Sequence, residues 1–169
     1  MSDKTTYTPE EWSTITEAPA VTGIAVAIAG ASGLFGTLAE AFSTTSTLVA
    51  GMKSENPLIR AICTRDDLMA AQNGAKAKLK ELMSGDLPAT QNKVRMKALE
   101  LLRQGVEAIE TKGSPEDAGA YRAFVHQIGE KVANAAKEGG FLGFGGERVS
   151  EGERTMLAAI DQAIGATRA

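Results

Sequence analysis

From Ala18 to Ala39 the chain carries no charged residue, and the stretch APAVTGIAVAIAGASGLFGTLA is built mainly from Ala and Gly rather than Leu. A continuous helix of that length would reach ~33 Å, enough to cross a bilayer or to run the full height of a helical bundle. Its strong apolar residues are Val21, Ile24, Val26, Ile28, Leu34, Phe35 and Leu38, and even the best such types contribute only ~0.3–0.6 kcal/mol each to membrane insertion. Aromatic anchors and basic residues are missing on both immediate sides. Gly23, Ala27 and Ala31 form one row of small residues, and Ala29, Gly33 and Thr37 a second, both suited to close helix approach. At least four other segments carry one-sided apolar faces that must be buried against something. The stretch therefore reads as the centre of a soluble bundle, with residues 20–39 as a membrane anchor the alternative.

The remaining segments punctuate clearly. Thr8-Pro9-Glu10-Glu11 is a helix start: Thr8 caps, Pro9 suits the first helical position and Glu11 closes a capping box. The short helix carrying Trp12 and Ile15 is expected to stop near Pro19, with the uncharged helix running from about Ala20 through Phe42 or on to Met52. Ser54-Glu55-Asn56-Pro57 is a break, followed by a short helix with Leu58, Ile59 and Ile62. Thr64 then caps a helix with Asp66 and Asp67 in its first turn and Leu68, Ala71, Ala75, Leu79 and Leu82 at helical spacing.

Ser84 to Pro88 ends that helix. An amphipathic helix from about Thr90 to Thr111 presents Val94, Ala98, Leu101, Leu102, Gly105 and Ile109. After Lys112-Gly113-Ser114-Pro115 comes the cleanest stripe: Tyr121, Phe124, Val125, Ile128, Val132 and Ala135. The connector GGFLGFGG at 139–146 precedes a last helix, capped by Ser150 and Glu153, with Met156, Leu157, Ile160 and Ile164 as its apolar stripe. No segment alternates with period two, so no sheet is expected. The expected fold is all-α: one helical domain over residues 1–169, a bundle of six to seven helices around the Gly/Ala-rich central one.

Composition narrows the chemistry. A net charge of -3 argues against attraction to nucleic acid. The single Cys63 rules out an intrachain disulfide and suits a reducing compartment. The segment before the apolar run is acidic, the wrong polarity for a secretory leader, so the expected location is cytoplasmic. With one cysteine and one histidine, His126, no metal centre, cofactor or catalytic residue is expected. Arg60 and Arg65 are placed to lower the Cys63 pKa, but a buried small residue is the favoured reading. Glu10, Glu11, Glu17, Asp66 and Asp67 read as helix-start charges.

Two features are left as candidate contacts. Phe141, Leu142 and Phe144 in the glycine-rich connector form a hydrophobic latch or a partner-contact site; the run lacks the lysine and the preceding strand of a phosphate-binding loop. Lys76, Lys78 and Lys80, then Lys93, Arg95 and Lys97, place basic clusters on both sides of the Pro88 turn, diluted by Glu81, Asp86 and Glu100.

Glu147-Arg148-Val149-Ser150-Glu151-Gly152-Glu153 resembles the G-x-[VI]-[ST]-x-x-E connector of TerB-type tellurite-resistance domains, over about the final 25 residues. That resemblance implies an all-helical domain with a metal- or ligand-binding role in stress response, although the family's Asp-Gly pair falls on Gly146 and Glu147 here. The chain as a whole resembles small bacterial helical proteins. The expected function is non-enzymatic: binding a protein partner or self-association, through Phe141, Leu142, Phe144, Lys93, Arg95 and Lys97.

Overall fold

A computed structural model describes residues 3–30, 50–82, 87–138 and 149–165. Among these residues there are six α-helices and no strand, in agreement with the expected all-α bundle. They are α1 (Pro9–Ala29), α2 (Pro57–Ile62), α3 (Arg65–Leu82), α4 (Leu87–Lys112), α5 (Pro115–Glu138) and α6 (Glu151–Ala163), preceded by a single 3-10 turn at Lys4–Thr6. Helix α1 lies at the centre and packs against α3, α4, α5 and α6. Phe141, Leu142, Phe144 and residues 31–49 lie outside the described residues.

The helix starts follow local rules. Thr8 accepts from the Glu11 amide at 3.2 Å while Glu11 accepts from the Thr8 amide at 2.8 Å. Ser150 and Glu153 repeat this box at α6, with bonds of 3.2 and 2.8 Å. Each box satisfies orphan amides of a first turn. Asn56 caps α2, its Oδ1 accepting from the Ile59 amide at 3.1 Å, and its Nδ2 donates to Asp117 at 3.0 Å. Asp117 in turn accepts from the Ser114 hydroxyl at 2.9 Å, so the starts of α2 and α5 are tied together.

Helix α1 corrects the expected stop at Pro19. It runs without interruption from Pro9 to Ala29, with Pro19 inside it. An interior proline costs about 3 kcal/mol, since it removes one helical hydrogen bond and crowds the carbonyl four residues earlier. Ile15, Val21, Val26 and Ile28 are all buried, each worth about 1.5–3 kcal/mol, so packing outweighs the defect. The carbonyl that Pro19 orphans, that of Ile15, accepts instead from the Tyr121 hydroxyl of α5 at 2.9 Å.

Two other helices differ from expectation in smaller ways. Helix α4 starts three residues earlier than its periodicity suggested, because Pro88 occupies its first turn instead of lying in the break that ends the preceding helix. Among the described side chains, the apolar stripes of α4 and α5 are otherwise inside as expected: Val94, Leu102, Ile109, Tyr121, Val125 and Ile128 are essentially inaccessible. By length and composition α1 is apolar enough to cross a membrane, and 72% of its most apolar window is buried within the bundle.

Small residues set the distances between helices. A side chain at Gly105 of α4 would come within 3.2 Å of the Tyr121 hydroxyl and 3.7 Å of the Ile15 backbone. At the other end of α1, a side chain at Gly30 would meet the Glu153 carboxylate at 2.7 Å, and one at Gly152 would run into the Ala29 carbonyl. These glycines let α1 lie against α4 and α6 almost backbone to backbone.

Candidate functional site

The closeness of α1 to α6 has a consequence at the surface. Where the end of α1 meets the first turns of α4 and α6, Ala25, Ala29 and Gly152 are too small to fill the space between the helices. A groove of about 500 Å3 is left there. Ile28 and Met156 complete its apolar base with Pro88 at one edge. The α4 wall carries Gln91, Asn92 and Arg95, and the α6 wall carries Glu151 and Thr155. Pro88, Gln91, Asn92 and Arg95 follow the i, i+3, i+4, i+7 rule of one helix face, so that wall is two turns, about 10 Å, long.

The groove is electrically lopsided. The Arg95 side chain makes no hydrogen bond or ion pair among the described residues, and neither do those of Asn92, Glu151 or Thr155. Gln91 is the structural member of the wall, its Nε2 donating to the Ile28 carbonyl near the end of α1 at 3.1 Å. A cation and a free amide therefore face one way, and a carboxylate and a hydroxyl the other.

The basic stretch does not form one patch. Lys78 is turned inward to pair with Glu17, and Lys97 is engaged by Glu100 at 3.1 Å. On α4, Lys93 and Lys97 stand one turn apart on one flank, whereas Arg95 lies about 160° round the helix, on the flank that lines the groove. Of Lys93, Arg95 and Lys97, it is Arg95 that lines this groove.

Glu17 is a further correction. It is no helix-start charge, because α1 begins at Pro9 and Glu17 sits two turns inside. Its carboxylate is buried, accepts from the Ser13 hydroxyl at 2.6 Å and is ion-paired to Lys78 of α3. A side chain at Gly74 would collide with that carboxylate, so Gly74 is what makes the room.

Asp67 and His126 are held by structural partners. Asp67 collects bonds from Lys4 Nζ at 2.8 Å, Trp12 Nε1 at 2.8 Å and the Thr64 hydroxyl at 2.7 Å, which pins the N-terminal segment to α3. His126 of α5 faces Asp161 of α6 at 2.7 Å through Nδ1 and Glu130 at 3.4 Å through Nε2. Burial pushes the Cys63 thiol up to about 12, so Arg60 and Arg65 do not activate it. Among the described residues, no group of three or more His, Cys, Asp or Glu side chains is arranged to hold a metal ion.

Sequence reasoning missed the groove, the Asp67 hub and the Glu17–Lys78 pair. For the groove a signal existed: small residues at Ala25, Ala29 and Gly152 mark where three helices meet without filling their junction. No family model matches the chain, and neither the curated proteins nor the solved structures yield a match.

Proposed function

We propose that this protein is a non-enzymatic, cytoplasmic interaction module that engages a protein partner at the end of the bundle where α1, α4 and α6 meet. The observation that carries the reading is the placement of Arg95, a cation whose side chain is unengaged among the described residues, on the wall of an apolar-based groove. Concave apolar sites with a few convergent polar groups are where proteins bind other molecules. The inert environment of Cys63 and the Asp161-bound His126 favour binding over catalysis. Burial of α1 among four helices favours the soluble bundle over an anchor at residues 20–39.

A photo-crosslinking amino acid at Asn92, on the groove rim, tests this in expressing cells. The expected result is a discrete adduct that is lost with Arg95→Glu and is not formed from Gly119, an open position on α5. A mass of twice the 17.6 kDa chain would make self-association the activity. Equal adducts from Asn92 and Gly119, or none, would sink the reading.

A further inference from the structure

His126 is the only histidine of the chain, and the fold places it where α5 meets α6, between two carboxylates. Its side chain is 39% exposed, so solvent reaches the ring. Asp161 of α6 holds one nitrogen, with Oδ1 2.7 Å from Nδ1. An ionised carboxylate can only accept, so this bond sets the proton of a neutral imidazole on Nδ1. Nε2 is left as a bare lone pair, the form in which an imidazole binds a metal ion. Neither His126, Glu130 nor Asp161 lines the groove between α1, α4 and α6, so what they bind is independent of the interaction-module reading.

A second donor comes from the next turn of the same helix. Glu130 is four residues on, the spacing at which one helix face can offer two side chains to one ion. Its Oε1 stands 3.4 Å from Nε2, too far for an ordinary hydrogen bond. Donors bound about 2.1 Å from a tetrahedral zinc ion are themselves about 3.4 Å apart, so the two groups already span a coordination edge. The Glu130 carboxylate is 55% exposed and has no other ion-pair partner among the described residues. Arg122, one turn before His126, is committed to the Ile164 carbonyl and to Glu110.

We infer that His126 Nε2 and Glu130 Oε1 chelate one divalent transition-metal ion of the zinc class, with Asp161 as the positioning residue behind the imidazole. Asp161 and Glu130 address opposite ring nitrogens, so the three side chains do not converge on one point and only two ligate. Water fills the other coordination positions. An imidazole nitrogen suits zinc, copper or nickel rather than magnesium or calcium. A metal on Nε2 polarises the ring and strengthens the Nδ1–H bond to Asp161, so the ion ties α6 more firmly to α5.

Zinc titrations of the untagged full chain, in near-neutral buffer free of chelators, test this by calorimetry and by long-range 1H–15N spectra of the imidazole. The expected result is one saturable ion per chain, with the Nε2 resonance moving while Nδ1 keeps its proton. Glu130→Gln should weaken binding about tenfold or more, and His126→Ala should abolish it. Asp161→Ala should weaken it by about 10- to 100-fold and release the Nδ1 tautomer. Asp161→Asn, which keeps an acceptor on Nδ1, should recover part of both effects. Magnesium, which takes oxygen ligands, should give neither heat nor shifts. Zinc should also raise the thermal midpoint of the wild-type chain.

Unchanged zinc affinity in Glu130→Gln would reduce the site to a lone surface imidazole and overturn the chelate. Movement of Nδ1 in place of Nε2 would put the ion where Asp161 sits and overturn the assignment of roles. Magnesium binding as tight as zinc would make the carboxylates the ligands and remove the imidazole from the site. No saturation up to about 1 mM zinc would remove the site altogether. Glu130 is mostly exposed, so its variant keeps the chelate testable even where His126→Ala or Asp161→Ala fails to fold.

Discussion

The Tyr121 hydroxyl donates to the Ile15 carbonyl at 2.9 Å, and that carbonyl is the one Pro19 deprives of its helical partner. The two residues are 106 positions apart in sequence and the phenol is fully buried. Burial also pushes the Tyr121 phenol far above its usual range, so it stays a donor at every working pH. A defect in the central helix is thereby turned into a contact between α1 and α5.

Tyr121→Phe should destabilise the fold by about 1–3 kcal/mol, because it leaves a buried carbonyl unsatisfied. In a Pro19→Ala background the same change should cost clearly less, since the restored amide re-engages Ile15. Urea unfolding of the four-membered cycle measures the coupling. Equal costs in both backgrounds would mean that the hydroxyl and the proline are unrelated.

Gly105 and Gly119 should respond oppositely to alanine. Both lie inside helices, where alanine is normally worth about 1 kcal/mol over glycine. At Gly119 nothing lies within 4 Å of an added methyl group, so Gly119→Ala should stabilise by up to that amount. At Gly105 the methyl would press at 3.2 Å on a hydroxyl already fixed to Ile15. Gly105→Ala should forfeit the gain and lower the thermal midpoint. A rise in both variants would show that α4 can move away from α1.

This contrast explains what was legible in the sequence. Capping boxes at Thr8 and Ser150 and the stripes of α4 and α5 rest on residues three or four positions apart, and they are where periodicity placed them. Pro19 was misread because its rescue comes from α5, too far along the chain for any local pattern to register. Glu17 was misread for the same reason: once Pro19 seems to end a helix, a nearby acid looks like a cap. Lys78 likewise sits among lysines of similar appearance, and only the fold singles it out to face Glu17. The groove is a property of three helices at once.

Asp67 makes the docking of the N-terminal segment acid-sensitive. Partial burial works to raise its carboxyl, but the bonds from Lys4, Trp12 and Thr64 outweigh burial and hold it below the ordinary carboxylate range. A lowered folded value means the contribution is complete above the unfolded pKa, about 3.9, and is lost as pH falls through the folded value. Trp12 is the only tryptophan and donates to Asp67, so its emission reports this contact. The emission should hold steady from about pH 7 to 5 and change below about pH 4. Asp67→Asn should lose the Lys4 ion pair at neutral pH and flatten the acid step. An unaltered acid step in that variant would assign the transition to another group.

The Glu17–Lys78 pair should be far costlier to break than to replace. Glu17 is buried between α1 and α3 with Ser13 as its other partner, whereas Lys78 is about a third exposed, its side chain at 32%. Lys78→Met leaves a buried carboxylate without its cation, for which about 3 kcal/mol is expected, the low end of such losses because water reaches the lysine side. Glu17→Leu with Lys78→Met removes both charges and should recover most of that loss, since an apolar pair of similar volume avoids the desolvation of two ions. Denaturant midpoints of the single and double variants measure the difference. A double variant less stable than Lys78→Met would mean that the pair itself, and not the avoidance of a lone buried charge, is what holds α3 to α1.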